Sequence, residues 1–148
     1  FAPNNSMTRA MLVQVLYRMQ GSPEAGSSTF TDVADSAWYA KAVAWASENG
    51  IVNGSNGRFD PNGLLTREQL AAILWRYAQY EGRDVSVGEN TNILSYDDAQ
   101  DISSYAVPSM QWACGAGLLE GSSGKLMPKS TTTRAQAATV LVRYLDEG

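Results

Sequence analysis

Arg9, Arg67 and Arg134 each follow a threonine, and each Thr-Arg pair stands at one fixed distance from a short apolar-x-proline motif. The step from Phe1, Phe59 and Leu126 to Thr8, Thr66 and Thr133 is seven residues in all three places. Arg18, Arg76 and Arg143 form a second class at matching positions, so six of the eight arginines in this acidic protein belong to two repeated sets. A random solvated face would not use guanidinium groups so regularly. The rest of the reactive inventory is sparse. There is no histidine, which excludes Ser-His-Asp and Cys-His catalysis and every His-ligated metal site. Cys114 is the one cysteine, so no intrachain disulfide and no Cys-rich zinc site can form. It aligns with Ser47, lacks a visible activating base, and reads as a small packed thiol. Asp97, Asp98 and Asp101 are the best enzyme or calcium candidates, but they lack the alternating acidic spacing and fixed glycine of a calcium loop. No second carboxylate cluster faces them in sequence. Neither catalysis nor a metal or other cofactor is expected of this segment.

The elements that must position the arginines follow from self-similarity. The Thr-Arg segments align without gaps at offsets of 58 and 67: Leu12 with Leu70 and Ala137, Val15 with Ile73 and Val140, Leu16 with Leu74 and Leu141. The segment ahead of each motif recurs twice. Ala44-Trp45-Ala46 matches Gln111-Trp112-Ala113, Gly50 to Gly54 matches Gly117 to Gly121, and Gly57 matches Gly124. Phe30-Thr31-Asp32 matches Tyr96-Asp97-Asp98 one residue closer, which makes Tyr105 the counterpart of Trp38. The chain thus reads as the second half of a first repeat (1–20), a second repeat (30–80) and a third (96–146), together one compact domain. The Gly-, Ser- and Asn-rich stretches near 20–29 and 81–95 are the surface links.

Each full repeat reads as helix, loop, helix. Residues 38–49 form the first helix, with Ala42, Val43 and Ala46 on one stripe and Gly50 as its stop; Trp45 and Trp112, set among alanines, belong to the core. The glycines from Gly50 to Gly63 make the next stretch an ordered loop. Thr66 caps the second helix, with Gln69 completing a capping box; Thr133 and Gln136 repeat it, and Thr8 with Met11 has half of it. At about 100° per residue, Arg67 borders the buried stripe of Leu70, Ile73, Leu74 and Tyr77, while Arg76 points away from its centre.

Length and charge set the outer limits. At 148 residues and 16.0 kDa the chain is long enough to bury roughly 68–70% of its unfolded surface without staples. Fifteen acidic against eleven basic residues give a net charge of −4, and the pI is near 4.7. No positive field would draw in nucleic acid. No apolar run approaches the 18 or so residues that insert into a membrane. The start at Phe1, without methionine or an apolar leader, reads as a piece of a longer product.

With these landmarks assembled, the chain resembles the S-layer homology family. Asp32-Val33, Trp38, Gly50-Ile51, Gly54, Phe59-x-Pro61 and Thr66-Arg67-Glu68 carry the likeness, and it extends over nearly the whole chain. Departures are Tyr105 for the tryptophan, Leu126 for the phenylalanine, and Ala10 and Ala135 where the motif often has glutamate. The resemblance implies an all-α fold with repeats in a pseudo-threefold arrangement around a three-helix core and ligand grooves between neighbouring repeats. It also implies an extracellular module at the cell wall or S-layer of a Gram-positive-type bacterium, anchored non-covalently to secondary cell-wall polysaccharide, often pyruvylated.

The ligand-binding residues implied are Arg9, Arg67 and Arg134, Trp38 and Tyr105, Asp32 and Asp98, and Gly50, Gly54, Gly117 and Gly121. A pyruvate ketal puts a carboxylate on a sugar. An arginine in the first turn of a capped helix offers it a bidentate fork beside free backbone N–H groups and the positive dipole end. The glycines admit close backbone donors, the aromatic rings suit a sugar face, and the aspartates accept hydroxyls. Alternatives stand beside these roles: Thr-Arg arginines that bridge repeats, and Asp32 and Asp98 as cap or turn residues. At the level of function the alternative is a protein-interaction or self-assembly module of a surface layer. Finally, the helix from Thr8 to Gln20, with its stripe of Leu12, Val15, Leu16 and Met19, is expected to lack one covering element, supplied by a second chain or an upstream fragment.

Overall fold

The three threonines do begin helices. The computed structural model describes residues 5–27, 29–54, 56–86, 93–121 and 123–147, so the Phe1-Ala2-Pro3 motif lies outside the described residues. Five α-helices appear in order: α1 (Arg9–Met19), α2 (Ala40–Glu48), α3 (Arg67–Tyr80), α4 (Val107–Gly115) and α5 (Arg134–Glu147). Three short 3₁₀ turns lead from the second connector into α4. The described residues hold no strand, only isolated bridges, and the fold is all-α.

Local chemistry accounts for the helix ends. Thr66 and Gln69 form the full capping box, as do Thr133 and Gln136, while Thr8 accepts only the Met11 amide. Gly50 and Gly117 follow α2 and α4 with φ of +71° and +77°. The amides of Ile51 and Leu118 reach back to the Ala46 and Ala113 carbonyls, at 2.8 Å in both cases. This is a Schellman end, and its left-handed position favours glycine. α2 starts two residues later than expected, because no side chain caps it. Trp38 therefore sits in the turn ahead of the helix rather than on it.

The chain divides into two compact units, Met7–Leu64 and the rest of the described residues. The boundary falls inside the second repeat, between its loop and its second helix. The packing pair is therefore not the sequence repeat: the second helix of one repeat packs on the first helix of the next, α1 on α2 and α3 on α4. In the first unit Leu12, Val13, Leu16 and Tyr17 are buried together with Val43, Trp45, Ile51 and Phe59, and the Tyr17 and Trp45 rings lie 5.6 Å apart. In the second, Tyr144 meets Tyr77 at 5.8 Å and Trp112 at 6.3 Å.

One expectation about α1 is corrected. Its buried face runs through Val13 and Tyr17 instead of Val15 and Met19, because α2 approaches from that side.

Candidate binding site at the arginine-turn junctions

The apolar-x-proline motif is a strained turn held by an aspartate. Asp32 accepts the Phe59 amide on Oδ1 and the Asp60 amide on Oδ2, both at 2.8 Å. Asp98 does the same for Leu126 at 2.8 Å and Met127 at 2.7 Å. The middle residue of each motif takes a left-handed backbone, φ +62° at Asp60 and +53° at Met127, which a non-glycine residue holds only when its surroundings fix it. Partial desolvation pushes both carboxyls up, but the paired amides outweigh it and hold Asp32 and Asp98 below the usual aspartate range. Gly54 and Gly121 sit under the rings of Phe30 and Tyr96; a Cβ there would lie 2.1 and 2.2 Å from a ring carbon. Close approach of a ring to backbone is the reason for glycine at these two places.

The turn aims carbonyls at the arginine of the preceding repeat. Arg9 Nε donates to the Phe59 carbonyl at 2.9 Å and its guanidinium lies 4.9 Å from the centre of the Phe59 ring. Arg67 Nε donates to the Leu126 carbonyl at 2.8 Å, and its Nη2 to the Glu120 carbonyl at 3.0 Å. Both arginines thus bridge repeats through backbone oxygen.

The helix N-termini are less open than expected. The Arg9 and Ala10 amides donate to the Gly63 and Pro61 carbonyls, both at 3.0 Å. The Arg67 and Glu68 amides donate to Ser130 and Pro128, at 2.9 and 3.0 Å. The Arg134 amide donates to Asn5, the counterpart of Gly63 and Ser130, at 2.8 Å. The third-position amides go to the capping threonines. First-turn N–H groups must find acceptors when a helix end is covered, and here the turn of another repeat provides them. The expected free backbone donors beside the arginine are therefore already engaged.

What remains open differs between the copies. Arg67 is half-buried, and among the described residues its Nη1 has no partner and no carboxylate lies within ion-pair distance. Burial pushes its guanidinium down from the ordinary arginine range, with the Asp98 carboxylate acting against that. Next to it, Glu68 is 3% exposed. Its carboxylate accepts the Ser103 amide at 2.9 Å, the Ser103 hydroxyl at 2.6 Å, Lys129 Nζ at 3.1 Å and the Tyr105 hydroxyl at 3.3 Å. Lys129 also contacts Ser103 Oγ. Burial pushes Glu68 up, yet the two Ser103 hydrogen bonds and then Lys129 hold it below the usual glutamate range. A depression of about 380 Å³ opens beside this network, lined by Asp98, Asp101, Lys125, Met127, Pro128, Lys129 and Ser130.

Arg67, Asp98, Gly121 and Tyr105 are thus gathered around one turn in one unit, with Gly117 closing α4 above the same loop. Arg9, Asp32 and Gly54 form the matching set in the other unit, where Gly50 ends α2 and Trp38 stands 62% exposed. Arg134 Nε is buried without a hydrogen-bond partner among the described residues. Glu68, Ser103 and Lys129 are the functional candidates that sequence reading missed. Glu68 was visible inside Thr-Arg-Glu; Ser103 recurs as Ser36, two residues before Trp38, while Lys129 stands where the other copies have Asn4 and Asn62. Arg143 donates to the Leu118 carbonyl at 3.2 Å, in keeping with a structural role for its class. Burial raises the Cys114 thiol, so it stays protonated.

The geometry defines a helical repeat module in which each capped helix closes on the turn of another repeat. Residues 29–71 and 95–138 match the S-layer homology domain, and the chain belongs to that family. It is 37% identical over 147 residues to an endoglucanase of Bacillus sp. (strain KSM-635), covering 98% of this chain and 15% of that protein. It is 30% identical over 151 residues to the surface-layer 125 kDa protein of Lysinibacillus sphaericus (99% and 12%). It is 26% identical over 156 residues to the cellulosome-anchoring protein of Acetivibrio thermocellus (100% and 34%). The chain therefore spans about a third or less of these relatives. It is a cell-surface anchoring module, located at the cell surface or wall. Among the described residues no helix is long and apolar enough to cross a membrane.

Proposed function

We propose that this module anchors its parent protein by binding an acidic, carboxylate-bearing secondary cell-wall polysaccharide, pyruvylated in the simplest case, without catalysing any reaction on it. One observation carries the reading: Arg67 is partly stripped of water, gripped by two carbonyls, and among the described residues has no carboxylate in ion-pair contact, Asp98 acting on it only from farther off. A half-buried cation in that state gains from any anion that reaches it, and a guanidinium is shaped for a carboxylate. The neighbouring depression offers Lys125 beside the Glu68-paired Lys129, with Asp98 and Asp101 as acceptors for sugar hydroxyls, and the half-exposed ring of Tyr105 offers an apolar surface for a sugar. Asp98, Gly117 and Gly121 act by shaping the turn and loop whose carbonyls orient Arg67. Arg9 with Trp38, Asp32, Gly50 and Gly54 forms a second, less basic groove, and Arg134 a third.

A pull-down with purified, protein-free cell wall tests the proposal. Binding should fall at least tenfold when the polymer is chemically stripped from the wall. Equal binding to stripped wall, or concentration-dependent self-association without wall binding, would establish the protein-interaction alternative instead.

A further inference from the structure

A cleft of about 460 Å³ opens between the last turns of α3, the start of the connector that follows it, and α4. It lies toward the other end of α3 from Arg67: Trp75 is already about 12 Å farther along the helix axis. Trp75 is half-buried, and Trp112 and Pro108 of α4 share the apolar lining with it. Gln79, Gln111 and Asp84 supply polar edges. Among the described residues, the indole N–H groups of Trp75 and Trp112 and the Gln111 amide have no hydrogen-bond partner.

The charges in the lining are arranged against an ionic ligand. Arg83 is turned to α5: its Nη1 donates to the Tyr144 carbonyl at 2.7 Å, its guanidinium lies 3.8 Å from the centre of the Tyr144 ring, and its Nε pairs with Glu81 at 3.5 Å. Asp84 accepts the Ser86 hydroxyl at 2.6 Å and the Ser86 amide at 2.9 Å, both on Oδ1, which keeps Oδ2 for another donor. Those two bonds hold its carboxyl below the usual aspartate range, so it stays ionised and opposes an anion. The first unit fills the corresponding place with its own side chains. Tyr17 stands at the register of Trp75, buried, with its ring 5.6 Å from Trp45 and its hydroxyl donating to the Pro23 carbonyl at 2.6 Å. Ala44, also buried, stands at the register of Gln111. Trp75, by contrast, makes no ring contact among the described residues.

We propose that the Trp75–Trp112 cleft is a binding site for an uncharged pyranose sugar, separate from the arginine junctions. A pyranose has an apolar C–H face that suits an indole, and rim hydroxyls that both donate and accept. The cleft meets both demands, with indole N–H and amide donors set among amide and carboxylate acceptors. Its volume falls in the range of small-ligand sites built from aromatic rings and a few polar groups. A polyproline segment, which also suits paired aromatic rings, brings carbonyl acceptors and no N–H donor, and would cover Asp84 Oδ2 without a partner. The inference stands without the Arg67 reading, which concerns a carboxylate at the other end of the helix.

The indole N–H signals of the isotope-labelled full chain read the cleft directly by NMR, with cellobiose and N,N′-diacetylchitobiose as neutral probes. The Trp75 and Trp112 signals should shift saturably with at least one of the two sugars. Trp75→Ala, followed at the Trp112 signal, should weaken that binding at least tenfold. Gln111→Leu and Asp84→Ala should each weaken it several-fold, and neither residue is buried, so both variants keep the helix packing. The absence of a saturable shift at both indoles with either sugar would overturn the proposal. So would shifts that survive Gln111→Leu and Asp84→Ala unchanged. A polyproline peptide that shifts these signals where the sugars do not would overturn it in favour of a peptide site. Neither sugar carries a carboxylate, so a failure here leaves the Arg67 reading to its own test.

Discussion

The Arg9 and Arg67 junctions are built on the same backbone and differ in what they leave charged. Each has an aspartate holding two turn amides, a left-handed middle residue, an arginine Nε on the turn carbonyl and two first-turn helix amides on the following carbonyls. At the Arg67 junction, Glu68 replaces Ala10, Tyr105 replaces Trp38 and Lys129 replaces Asn62, and these substitutions build a buried carboxylate network beside a depression lined by two lysines and two aspartates. The repeated residues make the turn. The unrepeated ones set the charge that a ligand meets.

The largest expected effects break the shared part of that comparison. Gly54→Ala should destabilise by about 3 kcal/mol, since its Cβ meets the Phe30 ring and also the Arg58 carbonyl at 2.6 Å. Gly121→Ala should lose less, about 2 kcal/mol, because the matching Lys125 carbonyl stands off at 3.1 Å. Urea unfolding of the two variants side by side measures the difference.

Next come the aspartates. Asp32→Ala and Asp98→Ala should each lose about 2 kcal/mol, near the low end for two charge-assisted bonds because the turns are partly exposed. Both carboxyls are depressed in the folded state, so their contribution is full above the unfolded value near 3.8 and is lost as pH falls through the folded value. Acid titration of stability should therefore be flatter below about pH 4 in either variant.

Smaller effects separate the copies. Glu68→Ala should lose on the order of 1–2 kcal/mol by leaving Ser103 and Lys129 without their acceptor, and this loss should shrink in a Lys129→Met background. Thr66→Ala should lose about 1 kcal/mol and Thr8→Ala rather less, because Thr8 heads only half a box. Thermal unfolding resolves both pairs.

Much of this architecture was legible because it repeats. The three helix starts, the capping boxes at Thr66 and Thr133, the glycine stops at Gly50 and Gly117 and the core placement of Trp45 and Trp112 all follow from local rules applied in register. What escaped was relational. Register aligns Thr66 with Thr133, but it does not say that the amides behind these caps will be taken up by another repeat's turn. Nor does it say that α1 pairs with α2 across the repeat boundary, which turns Val13 and Tyr17 rather than Val15 and Met19 inward. Trp38 fell outside its helix because nothing in Ser36 to Tyr39 caps α2. Lys129 stands where the other copies have asparagine, so recurrence does not mark it, whereas Ser103 recurs as Ser36.

The most direct test of the charge asymmetry is the affinity of Arg67→Lys and Arg9→Lys variants for a purified pyruvylated wall polymer, with folding of each verified by circular dichroism. Lysine keeps the charge but loses the fork that grips carbonyl and carboxylate together. Arg67→Lys should weaken binding at least tenfold, Arg9→Lys should stay within threefold of the parent, and removal of the ketal should erase the difference. Equal losses in the two variants, or undiminished binding to the polymer without its carboxylate, would contradict the account.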